Sequence, residues 1–440
     1  MKPLFEKSNL QRSPARTGVS LIAVAWCPLG KINLRFAAHS SRCEGADRVC
    51  DIVRRISRAG KPNYHGLWKT LRPKRVHRPI FGVTIITCTM PTLLDLRGLT
   101  VELPTAEGPV FPVNDVSFTL AQGESLGLVG ESGSGKTMLA LALVGLLPAG
   151  ARRSGEAWLS GANGAGTNLV ALDEAALTAV RGQGIGFVFQ EPMTALNPVM
   201  RIGSQISEAL RAHQPGLSRA ALTKASLAAL ERARVPEPAV RARQFPHQLS
   251  GGLRQRAMIA MALAAGPRLL VADEPTTALD VTVQREILEL LARLRKELGL
   301  SLLFITHDLA VVAQVADRLA VMYAGRIVEI GPTHEVLQHP LHPYTAALLQ
   351  ASPQLKTRLE RKGFAPIPGS VPALDALPPG CAFEPRCAHS REECSAAVPE
   401  LRAESFAHWA RCILVAGDGC EPPEGRSPNR DSSANGGATP

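Results

Sequence analysis

Short apolar runs alternate with longer stretches of good helix formers through the middle of the chain. Four runs have the length and composition of buried strands: Ser125–Val129, Ile185–Phe189, Arg268–Ala272 and Ser301–Ile305. Three stretches between them are rich in Ala, Leu and other good helix formers: Met138–Leu147, Ala257–Ala265 and Val281–Leu298. Because strands and helices alternate, the pattern predicts an α/β core on a mostly parallel sheet.

The stretches around this core are less regular. Leu93–Leu103 and Val116–Leu120 are predicted to be strands, separated by the turn signal Gly108-Pro109. The stretch that follows residue 154 is predicted to be rich in turns as far as residue 171. Residues 200–245 are predicted to be mostly helical, with interruptions at prolines.

Residues 130–137 follow the first strand of the core and lead into its first helix. They read Gly130-Glu131-Ser132-Gly133-Ser134-Gly135-Lys136-Thr137 and fit the phosphate-binding pattern G-x-x-x-x-G-K-S/T. Glycines let such a loop curl so that its N–H groups point at phosphate oxygens, and the dipole of the following helix adds to the attraction. Lys136 can reach the β- and γ-phosphates, and the hydroxyl of Thr137 can bind Mg²⁺. The loop predicts a site for a nucleotide with Mg²⁺.

Polar side chains follow the other predicted strands of the core. Asp273 ends one strand, where it can hold Mg²⁺ through its water shell, and Glu274 next to it is the candidate general base that orients the attacking water. Gln190 can sense Mg²⁺ or the water, and His307 can donate a hydrogen bond to the γ-phosphate. A solvated acidic loop and a structural histidine are the alternatives. The position of each residue at a strand end favours the chemical interpretation.

Composition and charge narrow the possible partners. The chain has 440 residues, of which 45% are hydrophobic and 20% charged, as in ordinary globular proteins. Its net charge of +11 is concentrated in residues 1–89, which carry 17 basic and 4 acidic residues, whereas the remainder carries 32 and 34. The near-neutral remainder gives no indication of a nucleic-acid partner. No apolar run reaches the roughly 18 residues that a membrane helix needs.

The ordered set of these motifs resembles the nucleotide-binding subunit of ABC transporters over residues 92–340. Further matching features are the signature Leu249–Arg256, within which Ser250-Gly251-Gly252 opens a helix, and the run from Thr277 to Asp280. The resemblance implies a P-loop NTPase fold with a RecA-like core, an antiparallel β-subdomain and a helical subdomain. It also implies that Ser250, Gly251 and Gly252 act on nucleotide bound by a second ATPase subunit, identical or different, so that two chains enclose two ATP molecules. Asp280 is a further candidate nucleotide-binding residue.

Two further stretches narrow the resemblance to the oligopeptide/dipeptide importer ATPases: Gln190–Gly203, and Gly325–Gly331 continued by His339–Thr345. Such a subunit would hydrolyse ATP peripherally at the cytoplasmic face of a bacterial inner membrane. Its partners would be a second ATPase subunit, two transmembrane permease subunits and an extracytoplasmic solute-binding protein. An importer for nickel or another small solute is the alternative, and a non-transport ABC ATPase in DNA repair or translation is the third interpretation.

Adenine binding is the point where the chain departs from the family. Members often stack an aromatic residue on the base from upstream of the phosphate loop, but residues 103–108 contain none. Phe111 is the nearest substitute.

Nine cysteines fall into two groups, four within residues 1–89 and five from Cys381 to Cys420. This clustering is unlike a secreted disulfide scaffold. Cys381, Cys387, Cys394 and Cys412 have the spacing C-x5-C-x6-C-x17-C. Thiolates can bind iron–sulfur clusters or zinc, and four free thiols are equally compatible with this spacing. The resemblance implies a [4Fe-4S] cluster, with zinc as the second choice.

The predicted organisation has four parts. Residues 1–89 are a basic extension, disordered or upstream of a true start at Met90, and residues 92–340 are the ATPase domain with its helical subdomain at about 191–255. Residues 341–412 are a small C-terminal domain that carries the four cysteines. Residues 413–440, rich in Gly, Pro, Ser and Asn, are predicted to be disordered.

Overall fold

The computed structural model describes residues 91–161, 165–352, 367–405 and 407–415. The predicted basic extension and residues 416–440 of the predicted tail lie outside the described residues. The strands, in chain order, are β1 Thr92–Thr105, β2 Gly108–Ala121, β3 Ser125–Val129, β4 Arg152–Ser160, β5 Gly166–Asn168, β6 Ile185–Val188, β7 Leu269–Asp273, β8 Ser301–Thr306, β9 Arg318–Tyr323, β10 Arg326–Pro332, β11 Arg402–Ser405 and β12 His408–Ala410.

The helices number twelve within these residues. They are α1 Lys136–Val144, α2 Glu174–Val180, α3 Pro192–Ala195, α4 Ile202–His213, α5 Arg219–Arg232, α6 Pro238–Arg241, α7 Gly251–Leu263, α8 Val281–Leu298, α9 Leu309–Val315, α10 Thr333–Gln338, α11 Pro343–Ala351 and α12 Glu392–Ala396. None of them combines the length and the apolar character needed to cross a lipid bilayer.

The larger sheet of the described residues has eight strands in the order β11-β12-β10-β9-β3-β8-β7-β6. The run from β9 to β6 is parallel, which confirms the predicted core. All side chains of β3, β7 and β8 are buried, as expected for strands covered on both faces. Since the strands are parallel, the residues that follow β3, β6, β7 and β8 meet at one edge of the sheet.

A second sheet, with the order β2-β1-β4-β5, is antiparallel. Two predictions about its strands were wrong, the start of the second strand and the turns after residue 154. The second strand begins at Gly108 rather than Val116, because prolines are tolerated in β2 at the sheet edge. The stretch after residue 154 is not all turns, because β4 continues to Ser160 and pairs with β1. Its sequence looks polar since only Ala157 and Leu159 are fully buried.

Residues 196–264 have an apolar core of their own. Buried side chains of α4, α5 and α7 form it, among them Ile202, Ile206, Leu230 and Ala257. The helices lie between β6 and β7 in sequence, so this bundle is an insertion into the parallel sheet.

The cysteine-bearing segment is joined to the main sheet. β12 pairs with β10 through Glu329 opposite Ala410 and Ile330 opposite Trp409. Trp409 is buried in the same apolar cluster as β3. The helix α11 starts at Pro343, because proline is favoured in the first helical turn.

Candidate functional site

The phosphate loop connects β3 with α1, as the sequence predicts. Ser132 and Gly133 are exposed, whereas Ser134, Gly135 and Lys136 are buried. Gly135 has a φ of 102° and lies against β2, where a Cβ atom would come within 1.9 Å of the carbonyl oxygen of Pro112. A side chain at this position would displace the loop, so the close approach requires glycine.

Lys136 ties the loop together from within. Its Nζ donates hydrogen bonds to the carbonyl oxygens of Gly130 at 2.9 Å and Glu131 at 2.8 Å, and to Ser134 Oγ at 3.2 Å. Burial lowers the pKa of Lys136, and the charges of Glu274 and Asp273 act in the opposite direction. The ammonium group is thus held in place beside both carboxylates.

Asp273 is the last residue of β7 and is buried. Burial raises its pKa to about 6, although a hydrogen bond with Thr137 acts to lower it. Its Oδ1 is buried without a hydrogen-bond partner among the described residues. An unpaired carboxylate oxygen next to the hydroxyl of Thr137 is a donor set that suits Mg²⁺. These two residues therefore fit the predicted metal.

Two predicted residues, Gln190 and His307, meet at Glu274, which follows β7 with a positive φ of 44°. Gln190 Nε2 donates to Glu274 Oε2 at 3.1 Å, and His307 Nδ1 lies 3.1 Å from Oε1. The structure adds Thr277, whose hydroxyl donates to Oε2 at 2.8 Å. The sequence motif contained Thr277 but gave it no role. The arrangement fixes a carboxylate that can accept a proton at the sheet edge.

Ser250, which is predicted to act on a second subunit, and Asp280, a predicted nucleotide-binding residue, each cap a helix. Ser250 Oγ caps α7 by accepting the N–H of Leu253 at 3.4 Å, and Asp280 Oδ1 caps α8 by accepting that of Val283 at 2.9 Å. Among the described residues, no hydrogen bond joins either cap to the phosphate loop or to Glu274. Both side chains are exposed.

Contacts from the C-terminal segment reach the phosphate loop and were not predicted. Arg386 binds both carboxylate oxygens of Glu131, at 2.7 and 3.1 Å. The hydroxyl of Tyr344 accepts the backbone N–H of Glu131 at 2.8 Å. One feature of the sequence indicated this ion pair. Glu131 is an acidic residue in a loop that binds anions, and its charge is disfavoured there unless a cation lies nearby.

Phe111, the proposed substitute for the adenine-stacking residue, is half-buried on β2. It precedes Pro112, which lies against Gly135. Phe111 therefore flanks the phosphate loop, and its role stays a prediction.

The four predicted cysteines line one cavity of about 20 Å³, together with His342. Burial raises the pKa of Cys381 to about 11, so its thiol is protonated at neutral pH. No group of three or more His, Cys, Asp or Glu side chains within the described ranges is arranged to hold a metal ion.

His342 is a buried residue whose role the sequence did not predict. Its Nδ1 accepts the N–H of Tyr344 at 3.1 Å, so the ring hydrogen of the neutral form lies on Nε2. Burial lowers the pKa of His342 to about 4, which keeps the ring neutral at pH 7. Nε2 is buried without a partner among the described residues. A buried N–H group of this kind requires an acceptor in the cavity.

Comparisons with known proteins agree with these observations. The ABC transporter family matches residues 113–277, and the C-terminal region of oligopeptide/dipeptide transporters matches residues 328–394. A putative peptide import ATP-binding protein of Brucella melitensis is 50% identical over 327 residues, which cover 73% of this chain and 96% of that protein. The oligopeptide transport ATP-binding protein OppD of Salmonella typhimurium is 47% identical over 321 residues, covering 73% and 93%. The OppD protein of Escherichia coli is 46% identical over 322 residues, covering 72% and 93%.

Proposed function

The chain belongs to the ABC transporter family, in its oligopeptide/dipeptide branch, and we propose that it is the subunit that binds and hydrolyses ATP to power import of di- and oligopeptides. The observation that carries the proposal is the convergence of Gln190, Glu274 and His307 at the sheet edge that also bears the phosphate loop. Phosphoryl transfer to water depends mainly on positioning and charge stabilisation, which such a cluster supplies.

Each residue of the site takes one role. The N–H groups of residues 130–137 and the ammonium of Lys136 bind the phosphates. Thr137 and Asp273, together with Gln190, would hold Mg²⁺, which would supply positive charge against the charge of the phosphates. Glu274 accepts the proton of the attacking water, and His307 donates to the γ-phosphate.

Pairing with a second ATPase subunit completes the site. The surroundings of Gly251 support this pairing. A Cβ atom at Gly251 would meet only Leu279 Cδ2, at 3.6 Å, so packing within the chain does not require glycine at this position. Ser250 and Gly251 are exposed at the start of a helix of 13 residues, where N–H groups favour an anion. In the full assembly two permease subunits and a solute-binding protein would complete a transporter, with this chain peripheral at the cytoplasmic membrane face.

The cargo is tested in vesicles that contain the complete transporter. Short peptides, presented with the solute-binding protein, are expected to accumulate inside in an ATP-dependent manner and to stimulate hydrolysis several-fold, since cargo release follows closure of the paired subunits. Nickel salts serve as the matched alternative cargo. Transport of nickel without transport of peptides would contradict the peptide assignment while leaving the ATPase assignment intact.

The C-terminal segment, residues 341–412, is proposed to carry a [4Fe-4S] cluster, with zinc as the second choice. Two observations support this proposal. One cavity is shared by Cys381, Cys387, Cys394 and Cys412, and the buried Nε2 of His342 has no hydrogen-bond partner among the described residues. Three of the thiols have a pKa that burial raises. A metal would lower it, because thiolates are the ligating form.

Anaerobic purification of the full chain tests the cluster. We expect about four iron and four sulfide per chain and a broad visible absorbance. The variant Cys394→Ser should lose the iron and the sulfide. The variant Cys420→Ser, which changes a cysteine outside the proposed ligands, should keep them. Zinc in place of iron would support the second choice, and protein free of both metals would rule out either site.

A further inference from the structure

A carboxylate occupies the second position of the phosphate loop and is bound by a distant arginine. Glu131 is 27% exposed, and the two carboxylate oxygens each accept a hydrogen bond from Arg386, whose side chain is 4% exposed. A free carboxylate in this loop would repel the phosphates of a nucleotide. The bidentate pair neutralises that charge and fixes its direction.

Arg386 is itself held from three sides. Its Nε donates to the carbonyl oxygen of Pro368 at 2.9 Å, and a terminal nitrogen donates to the hydroxyl of Tyr323 at 3.2 Å. The guanidinium carbon lies 5.9 Å from the ring centres of both Tyr323 and Phe383. Because these contacts restrict the arginine, little freedom is lost when it binds Glu131.

The backbone of Glu131 has a separate anchor. The hydroxyl of Tyr344 accepts its N–H at 2.8 Å, and the Tyr344 ring packs against those of Tyr323 and Phe383, with centres 4.5 and 5.3 Å away. The N–H of Tyr344 in turn donates to His342, which lines the cysteine cavity. The charge of the loop residue is therefore held by Arg386 and its backbone by Tyr344.

We propose that Arg386 is a positioning residue for the ATP site, which acts by neutralising Glu131 and holding the phosphate loop in the form that receives the triphosphate. The inference rests on the proposed ATP-binding function. Arg386 directly precedes Cys387 and follows Cys381 by five residues. Rearrangement of the cysteine segment would therefore move the arginine and weaken ATP binding.

The test measures the affinity of the full chain for Mg-ATP by calorimetry. Arg386→Gln is expected to weaken binding by about 10- to 100-fold, since hydrogen bonds between charged groups are strong and the uncompensated carboxylate faces the phosphates. Adding Glu131→Gln should restore the affinity to within a few-fold of the parent, because two amides keep a hydrogen bond without a charge. A purely structural arginine would not be rescued by this second change.

Two further variants sharpen the test. Arg386→Lys keeps the charge but loses the bidentate geometry, so it should bind ATP several-fold more weakly than the parent, and it replaces Arg386→Gln in the test if that variant does not fold. Arg318→Gln breaks the ion pair with Glu124 at the start of β9, away from the phosphate loop, and should leave the affinity unchanged. Thermal unfolding of every variant confirms that the folded state is being compared.

In the assembled transporter, Arg386→Gln should raise KM for ATP with kcat nearly unchanged. Parent-like ATP affinity in Arg386→Gln, failure of Glu131→Gln to restore it, or an equal loss in Arg318→Gln would each overturn the inference. Failure of the parent chain itself to bind ATP would instead refute the proposed function.

Discussion

Glu274→Gln is expected to lower ATP hydrolysis by about 10²- to 10⁴-fold while ATP binding is retained. An amide has nearly the shape of the carboxylate, and its oxygen can still accept from Thr277 or His307, but it cannot take a proton from water. Hydrolysis is measured in the assembled transporter at saturating Mg-ATP, and binding is measured in the full chain.

The same chemical change elsewhere provides the control for this variant. Glu297→Gln removes a charge at the end of α8, where the side chain pairs with Arg293 at 2.9 Å, and should leave both measurements unchanged. Hydrolysis at the parent rate in Glu274→Gln would exclude Glu274 as the general base.

Asp273→Asn is expected to have opposite effects on stability and on metal-dependent binding. Burial raises the pKa of Asp273 from 3.8 to about 6, so the folded chain holds a carboxylate whose ionisation is disfavoured. At 1.36 kcal/mol per pKa unit, the neutral amide should raise the free energy of unfolding by about 2–3 kcal/mol at pH 7.5 in the presence of a chelator. Loss of the carboxylate oxygen that is proposed to bind Mg²⁺ should remove the metal-dependent gain in ATP affinity.

The pH dependence follows from the direction of the shift. The folded state keeps its proton to higher pH than the unfolded state, so the cost of the carboxylate grows as the pH rises from about 4 to about 6 and is complete above that range. The stability advantage of Asp273→Asn should therefore shrink toward pH 4. Denaturant unfolding at pH 5 and pH 7.5 measures it.

Asp308→Asn is the matched control. Asp308 accepts the N–H of Ala310 at 2.8 Å as the cap of α9, and asparagine caps helices equally well, so little change is expected. Equal stability of Asp273→Asn and the parent at both pH values would contradict the argument.

Most of the core could be predicted because local pattern and global fold agree there. Residues of β3, β7 and β8 are mostly apolar and all buried, and α8 spans the predicted Val281–Leu298. β4 was missed since its buried positions are few and its first residues are charged. Pairing with β1, rather than its own composition, makes that stretch a strand.

The candidate site also contains residues that the sequence predicted and residues that it did not. Gln190, Glu274 and His307 were found because each stands at the end of a strand, and parallel strands bring such ends together. The Arg386–Glu131 pair joins residues 255 positions apart. This ion pair forms because the two charges compensate each other at close range, and a local sequence pattern cannot predict a contact between residues so far apart in the chain.

The pairing of β12 with β10 has a consequence for synthesis on the ribosome. β10 is complete at Pro332, but its partner begins at His408, so roughly 75 more residues must be made before that edge is paired. An unpaired edge is a template for association with other chains. Nascent chains that stall in this interval would therefore be prone to aggregate, and release of the last segment would end that period of exposure.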